Sequence, residues 1–261
     1  KIIISNFNCT LNNQPFNFRL SLIKLSNPTF DFYANGVLHL SELSPFIADS
    51  IMHDIDGAVM FNSFHLQGCK NDFYEGENST LQGSGNFKLS GVEFRASGIT
   101  YGNINGLLKY ENQIISAQDF TLNFLENEFN FTGTIANVFP YVYNLTVKRK
   151  ANDVVLGING KVKAETFNLT TILDAYQKKN LTPQQTKNKI NIRDIFSMAG
   201  NVDVDIDKFI FRKMEFDKLK TNLQIAPGVI RVNGLNTSTM GGNLLTTGLV
   251  SYTSYNALNL K

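Results

Sequence analysis

Apolar and polar residues alternate along most of this chain with a period of two. Phe120, Leu122 and Phe124 fall on one side of this pattern, and Thr121 and Asn123 fall on the other. Successive side chains of a β-strand point to opposite faces, so the alternation indicates strands with one apolar and one wet face. We therefore expect a mainly β protein with few helices.

The pattern is repeated along the chain. Residues 85–135 align with residues 200–250 without a gap, at a constant offset of 115 residues that takes Gly85 to Gly200. A slip of one residue would turn every side chain of a strand to the other face, so a phase kept throughout predicts matching strands. Identical residues at matched positions are Asn86 and Asn201, Phe94 and Phe209, Leu108 and Leu223, Ile115 and Ile230, Thr132 and Thr247, and Gly133 and Gly248.

Short polar segments between these strands predict hairpin turns. They lie at 111–113, 126–128, 226–228 and 241–243. The last of them, Gly-Gly-Asn, is the strongest signal because glycine accepts the positive φ of tight hairpins. Each unit then forms a meander of about five strands.

A fainter third copy is expected at the start of the chain. Residues 30–36 resemble residues 129–133, and a proline-bearing break follows each of them, at 44–47 and at 139–142. Ser44 before Pro45 suits an N-cap followed by proline at the first helical position, which predicts a short helix that ends near His53.

One stretch, residues 170–196, has a helical pattern. Thr171 can cap a turn that carries Ile172 and Leu173, and Thr182–Gln185 has the arrangement of a capping box. We predict a divergent β unit at 1–75, a first clear repeat at 76–168, a helical insert at 169–199 and a second clear repeat at 200–261. The expected fold is an elongated antiparallel sheet, curved into a groove or an open sandwich.

Composition narrows the function classes. A net charge of +2 and no long block of like charges argue against a nucleic-acid partner. No apolar run is long enough to span a bilayer, and no signal peptide is recognisable. We expect the chain to be an excerpt of a longer protein, so that any anchor or targeting segment would lie outside it. Cys9 and Cys69 are the two cysteines, and whether they pair stays open.

The candidate chemical motifs are weak. Asp203, Asp205 and Asp207 alternate with apolar residues as in a strand, and the glycine and glutamate of a calcium loop are missing. His65 and Cys69 have helical chelating spacing but lie in a strand-like segment with no second pair of ligands. No pattern marks a nucleophile or a phosphate loop. We expect no enzyme activity, no metal and no cofactor.

Apolar surface is the unusual property of this sequence, which has 21 Phe and 9 Tyr. It either forms the closed core of a sandwich or lines an open trough that binds acyl chains. The candidate lipid-binding residues are Leu108, Tyr110, Phe120, Leu122, Phe124, Phe129, Phe131, Leu223 and Ile225.

The two repeated segments resemble the C-terminal region of AsmA-like proteins. The likeness is carried by a Gly-Asn opening at 85 and 200, the hairpin 223–232, the steps Asp119–Phe120 and Gly234–Leu235, and the closing glycines from 241 to 248. The resemblance implies a periplasmic protein of a Gram-negative bacterium, anchored to the inner membrane, with a β-groove that carries phospholipid toward the outer membrane.

Two function classes follow for the whole chain. The first is a periplasmic lipid-binding or lipid-conducting module in outer-membrane biogenesis, whose partner is a phospholipid or another acyl-chain lipid. The alternative is a non-enzymatic structural module that recruits envelope proteins, for example by strand addition. The sequence does not identify the lipid or the direction of transfer.

Overall fold

The computed structural model describes residues 2–11, 14–24, 27–46, 53–73, 79–96, 99–141, 154–180, 197–254 and 257–260. These residues form one open, curved sheet in which fourteen strands follow one another in chain order. The prediction of a mainly β, groove-like fold with few helices is confirmed. The strands are β1 Ile2–Leu11, β2 Gln14–Ile23, β3 Thr29–His39, β4 His53–Cys69, β5 Gln82–Ala96, β6 Ile99–Glu111, β7 Ile114–Phe124, β8 Asn127–Ala136, β9 Leu156–Asn168, β10 Met198–Phe211, β11 Met214–Ala226, β12 Val229–Thr239, β13 Gly242–Ser254 and β14 Ala257–Leu260.

Strand bounds recur at the 115-residue offset of the sequence. Strand β6 maps onto β11 and β7 onto β12 from the first residue to the last, and β8 and β13 begin at matched positions. Unusual backbone angles recur as well: φ is 48° at Asn103 and 53° at Lys218, and 49° at Asp119 and 62° at Gly234. The same backbone is therefore built twice. The division of the chain at residues 76, 169 and 200 stays a prediction.

One pair of strands differs from the rest. Among the described strands every neighbouring pair is antiparallel except β9 and β10, which run parallel, with Val162 beside Val204. A parallel connection needs a crossover, and the helix Leu169–Asn180, the crossover helix, begins it. Because β9 and β10 point the same way, each strand of the second copy has the direction of its counterpart in the first.

The helical predictions are partly wrong. The crossover helix is capped by Asn168, whose Oδ1 accepts the backbone N–H of Thr170 at 3.0 Å, and Thr171 lies inside the first turn. Residues 181–196, with the proposed capping box, lie outside the described residues. Near the start, a 3₁₀ helix spans Leu40–Phe46, so it begins four residues before Ser44.

The third copy does not share the parallel junction. Strand β4 pairs antiparallel with β5, whereas its expected counterpart β9 pairs parallel with β10. Hairpin turns lie at 112–113 and 227–228 as expected, and at 125–126 and 240–241, one residue earlier than expected.

Bulges bend the sheet. The registers of β4 with β5, β5 with β6 and β6 with β7 each shift at least once. Ser63, Asn103 and Asp119 have positive φ at such positions. A bulge adds a residue to one strand and bends it, so repeated bulges curve the whole sheet.

Candidate functional site

A row of directly paired residues crosses thirteen strands without a polar side chain. Residues that face each other in a β-ladder lie on the same side of the sheet. From β1 to β13 the row contains Cys9, Phe16, Gly36, Phe61, Phe87, Leu108, Ala117, Gly133, Gly160, Val202, Leu223, Val232 and Gly248. We call the side of the sheet that carries this row the apolar face.

A second row runs beside the first. Its members from β5 to β13 are Gly85, Tyr110, Ile115, Ile135, Ile158, Gly200, Ile225, Ile230 and Val250. The apolar strip is therefore at least two residues deep along nine strands.

The opposite side, the polar face, carries hydrogen-bonding and charged groups. Ion pairs there join Lys109 to Glu111 at 2.7 Å and Lys161 to Asp205 at 3.2 Å. A hydrogen bond from Lys161, with Lys220 nearby, holds the pKa of Asp205 below its ordinary value. Asp205 thus belongs to the wet side of a strand, and no cluster of three metal-ligating side chains occurs among the described residues.

One end of the apolar face is covered by the chain itself. Leu108, Tyr110 and Phe131 are buried there in one cluster with Leu81. The ring of Phe139 packs edge-on against Tyr110 at 5.2 Å between centroids. Burial raises the pKa of the Tyr110 hydroxyl. At this covered end, three of the nine candidate residues contact protein side chains and form a closed core.

The other six candidates are only half-buried. They are Phe120, Leu122, Phe124, Phe129, Leu223 and Ile225. Phe120 faces Phe131, and Leu122 faces Phe129, so the first four form one patch on β7 and β8. Leu223 and Ile225 lie on β11, opposite Val232 and Ile230. The structure places all nine candidates on one face: three are buried at the covered end, Phe120 packs against them, and the other five lie in the open part.

A line of aromatic rings borders the open part, and only Phe124 and Phe129 of this line are among the nine candidates from the sequence. Phe129, Phe167 and Phe209 follow one another across β8, β9 and β10, with centroids 5.5 and 5.6 Å apart. On β6 and β7, Tyr101 and Phe124 lie 5.1 Å apart. The register of β6 shifts between Gly102 and Asn105, so alternation continued from Leu108 assigns Tyr101 to the wrong face. Alternation continued from Val162 and Val204 likewise assigns Phe167 and Phe209 to the polar face, although their rings pack beside Phe129. The identity of Phe94 and Phe209 at matched positions of the two copies was the one sequence feature that could have indicated these rings.

Asn127 fixes the crossover helix to the sheet. Its side chain is buried, and Nδ2 donates to the carbonyl oxygens of Leu125 at 2.9 Å and Phe124 at 3.2 Å. Its Oδ1 accepts the N–H of Asn168, the residue that caps the helix. The helix therefore begins at the edge of the sheet where the open part lies.

Asp72 closes a loop at the covered end. The hydroxyl and the N–H of Thr80 donate to Oδ1 at 2.8 and 3.0 Å, and the N–H of Cys69 donates to Oδ2. Burial by itself raises the pKa of this carboxyl, but the donated hydrogen bonds outweigh it, and the pKa lies below its ordinary value. The role of Asp72 is structural, because its hydrogen bonds link Cys69 to Thr80.

His65 and Cys69, whose spacing would suit chelation on a helix, lie far apart. His65 and Cys69 both lie on the extended strand β4, where a separation of four residues amounts to about 13 Å. His65 Nε2 instead lies 3.1 Å from Asp31 Oδ1. Cys9 and Cys69 are both free thiols. No described helix has the length and the apolar character needed to cross a bilayer.

Fold and site together define a class: an open, curved, single-layer β-sheet with one apolar and one polar face. Comparison with protein-family models, with curated proteins and with solved structures finds no match. The resemblance to AsmA-like proteins stays a prediction.

Proposed function

We propose that this chain is a lipid-binding or lipid-conducting module. Acyl chains would lie against the open part of the apolar face. The observation that carries the proposal is the unbroken apolar row from Cys9 to Gly248, because the buried cluster around Tyr110 spans β3 to β9 and the row continues beyond it to β13.

Acyl chains suit this surface physically. Each CH₂ group moved out of water contributes about 0.8 kcal/mol, so six of them contribute about 5 kcal/mol without any polar contact. Half-buried side chains such as Leu122 and Leu223 can make such contacts without unfolding of the protein. A row without polar groups also favours sliding of a chain along it, since no hydrogen bond has to break.

The cellular setting of the proposal comes from the resemblance. A periplasmic, inner-membrane-anchored protein in outer-membrane biogenesis would meet phospholipid, and other envelope proteins would be its partners. The anchor would be a segment outside this chain.

A pair of neighbouring substitutions tests the proposal. Leu223 lies on the apolar face of β11, and Gln224 points to the polar face. We expect Leu223→Asp to abolish most co-purifying phospholipid, measured by mass spectrometry of organic extracts, and Gln224→Asp to leave it unchanged. Thermal melts of both variants establish that they fold. Equal lipid content in folded Leu223→Asp and wild type would refute the proposal.

The structural alternative has its own support. In the described sheet, β1 pairs with β2 alone, and Ile2 and Ile3 on it are about half exposed. An exposed apolar edge strand can recruit another strand. Absence of lipid from wild-type extracts, together with loss of a protein partner on Ile3→Lys, would favour this function.

A further inference from the structure

Exposed apolar side chains concentrate at one end of the second unit. The solvent-exposed fraction is 91% for Met240 and 77% for Leu245, and it is about 40% for Leu244 and Met214. These residues lie in or directly after the turns that join β10 to β11 and β12 to β13. We call residues 211–214 and 239–245 the tip.

The two turns of the tip are held side by side. Thr239 Oγ1 donates to the carbonyl oxygen of Glu215 at 2.8 Å, and β12 pairs with β11 down to Ser238 opposite Asp217. Leu244 lies on the apolar face and Leu245 on the polar face, so apolar groups surround the end of the strands on both sides. This arrangement lets the tip enter an apolar medium end-on.

Cations accompany these side chains. Arg212 and Lys213 form the β10–β11 turn, and Lys218 follows on β11; among the described residues, no carboxylate is within ion-pair distance of any of them. Lys208 pairs with Glu215 at 2.8 Å, which offsets that negative charge. Within residues 207–218 and 239–245, four cations stand against three carboxylates, Asp207, Glu215 and Asp217.

The first unit supplies an internal comparison. At the 115-residue offset, the half-buried Leu125 takes the place of Met240, Glu126 that of Gly241, and Asn130 that of Leu245. The same hairpin backbone therefore forms with Asn130 in place of Leu245 and with a half-buried leucine in place of the exposed Met240. Apolar exposure at the tip is not a requirement of the fold.

We propose that the tip rests on an anionic lipid surface, with Met240 and Leu245 in the interfacial layer and Arg212 and Lys213 at the headgroups. Apolar side chains beside cations are what such an interface binds. The inference rests on the proposed function, because a module that holds acyl chains has to reach a membrane to load or unload them.

Vesicle sedimentation tests the tip. With vesicles of phosphatidylcholine and phosphatidylglycerol, we expect Met240→Ser/Leu245→Asn to bind about tenfold more weakly than wild type, which corresponds to about 1.4 kcal/mol. Arg212→Ser/Lys213→Ser should lose the preference for phosphatidylglycerol. The control is Leu107→Asn, which removes a leucine that is 51% exposed on the polar face of the first unit and should bind as wild type does.

Binding of cis-parinaric acid in the absence of vesicles separates the two proposals. We expect both tip variants to bind this fatty acid as wild type does, and their thermal melts to match. Wild-type vesicle binding by both variants, or equal weakening by Leu107→Asn, would overturn the tip proposal and leave the lipid-binding function standing. Failure of wild type to bind the fatty acid would overturn the lipid-binding function instead.

Discussion

The rings of Phe64 on β4 and Tyr110 on β6 lie 5.8 Å apart between centroids, although strand β5 runs between them. They meet above Gly85, which has no side chain to separate them. Two strands that flank a third are about 9.6 Å apart, so the rings lean toward each other across the glycine. Contacts of this kind join side chains of the apolar face across an intervening strand.

Replacement of Gly85 should test this arrangement. Its φ is 143°, and an added Cβ would lie 2.5 Å from the Cα of Phe64. We expect Gly85→Ala to lower the free energy of unfolding by about 2–4 kcal/mol, from backbone strain and overpacking together. Urea denaturation followed by circular dichroism measures the loss.

Gly234 is the matched control. It also has a positive φ, but nothing lies within 4 Å of its added Cβ, and Asp119 already occupies the equivalent position in the first unit. Gly234→Asp should therefore cost about 1 kcal/mol or less. A similar loss in both variants would show that close packing over Gly85 does not matter.

The side chain of Asn127 should stabilise the start of the crossover helix. Asn127→Ala removes the donors to Leu125 and Phe124 and the acceptor for Asn168, so buried backbone groups lose their partners. The expected destabilisation is about 3 kcal/mol, with faster hydrogen exchange at Thr170. Asn130→Ala, at an exposed position of the same strand, should change the stability by less than about 0.5 kcal/mol. Unchanged exchange at Thr170 in the Asn127 variant would contradict the assigned role.

Asp72 should make stability depend on pH. Its pKa is lower in the folded protein than in the unfolded chain, so its contribution is complete above the unfolded value, about pH 4, and is lost as the pH falls through the folded value. Asp72→Asn should therefore be destabilised by about 1–3 kcal/mol at pH 7, and this difference should shrink below about pH 4.

Urea midpoints at pH 7 and at pH 3 measure the effect of Asp72→Asn. The exposed Asp174→Asn should stay within about 0.5 kcal/mol of wild type at pH 7. A difference between wild type and Asp72→Asn that grows toward low pH would show that the sign is wrong.

The covered and open parts of the apolar face should respond differently to the same charge. Phe131 is 7% exposed, so Phe131→Asp leaves a buried, unpaired carboxylate and should cost about 3–5 kcal/mol, which is enough to unfold many domains. Leu122 is half-buried, and Leu122→Asp should fold with a loss of about 1–2 kcal/mol. Thermal melts of the two variants decide whether this division of the face is real.

Strand positions were largely readable from the sequence. Alternation at Phe120, Leu122 and Phe124 sets which side chains share a face, and the constant offset carried that phase to the second copy. The strand assignment and the match between the two copies both depend on the alternation of apolar and polar residues, which is a local property of each strand. All nine candidate residues lie on one face for this reason.

The rest depends on contacts between distant residues. Leu81 and Phe139, which cover one end of the face, belong to short segments without periodicity. Asn103 and Asp119 adopt positive φ inside strands, and although Asn and Asp tolerate this conformation, the surrounding alternation predicts uninterrupted strands there. The parallel pairing of β9 with β10 depends on tertiary packing, and a local sequence pattern is the same for parallel and antiparallel strands. The cap of the crossover helix depends on tertiary packing as well, so the sequence alone could not distinguish Asn168 from Thr171 as the capping residue.

The parallel pairing of β9 with β10 allows the sheet to be lengthened by the addition of whole units. An antiparallel join at that place would reverse every later strand, and a copied sequence would then place its hairpin ends on the opposite margin of the sheet. Because the strand direction is kept, duplication of a gene segment lengthens the curved sheet by one whole unit and leaves its apolar face continuous. The reach of such a protein can therefore evolve by copying, without any redesign of the unit itself.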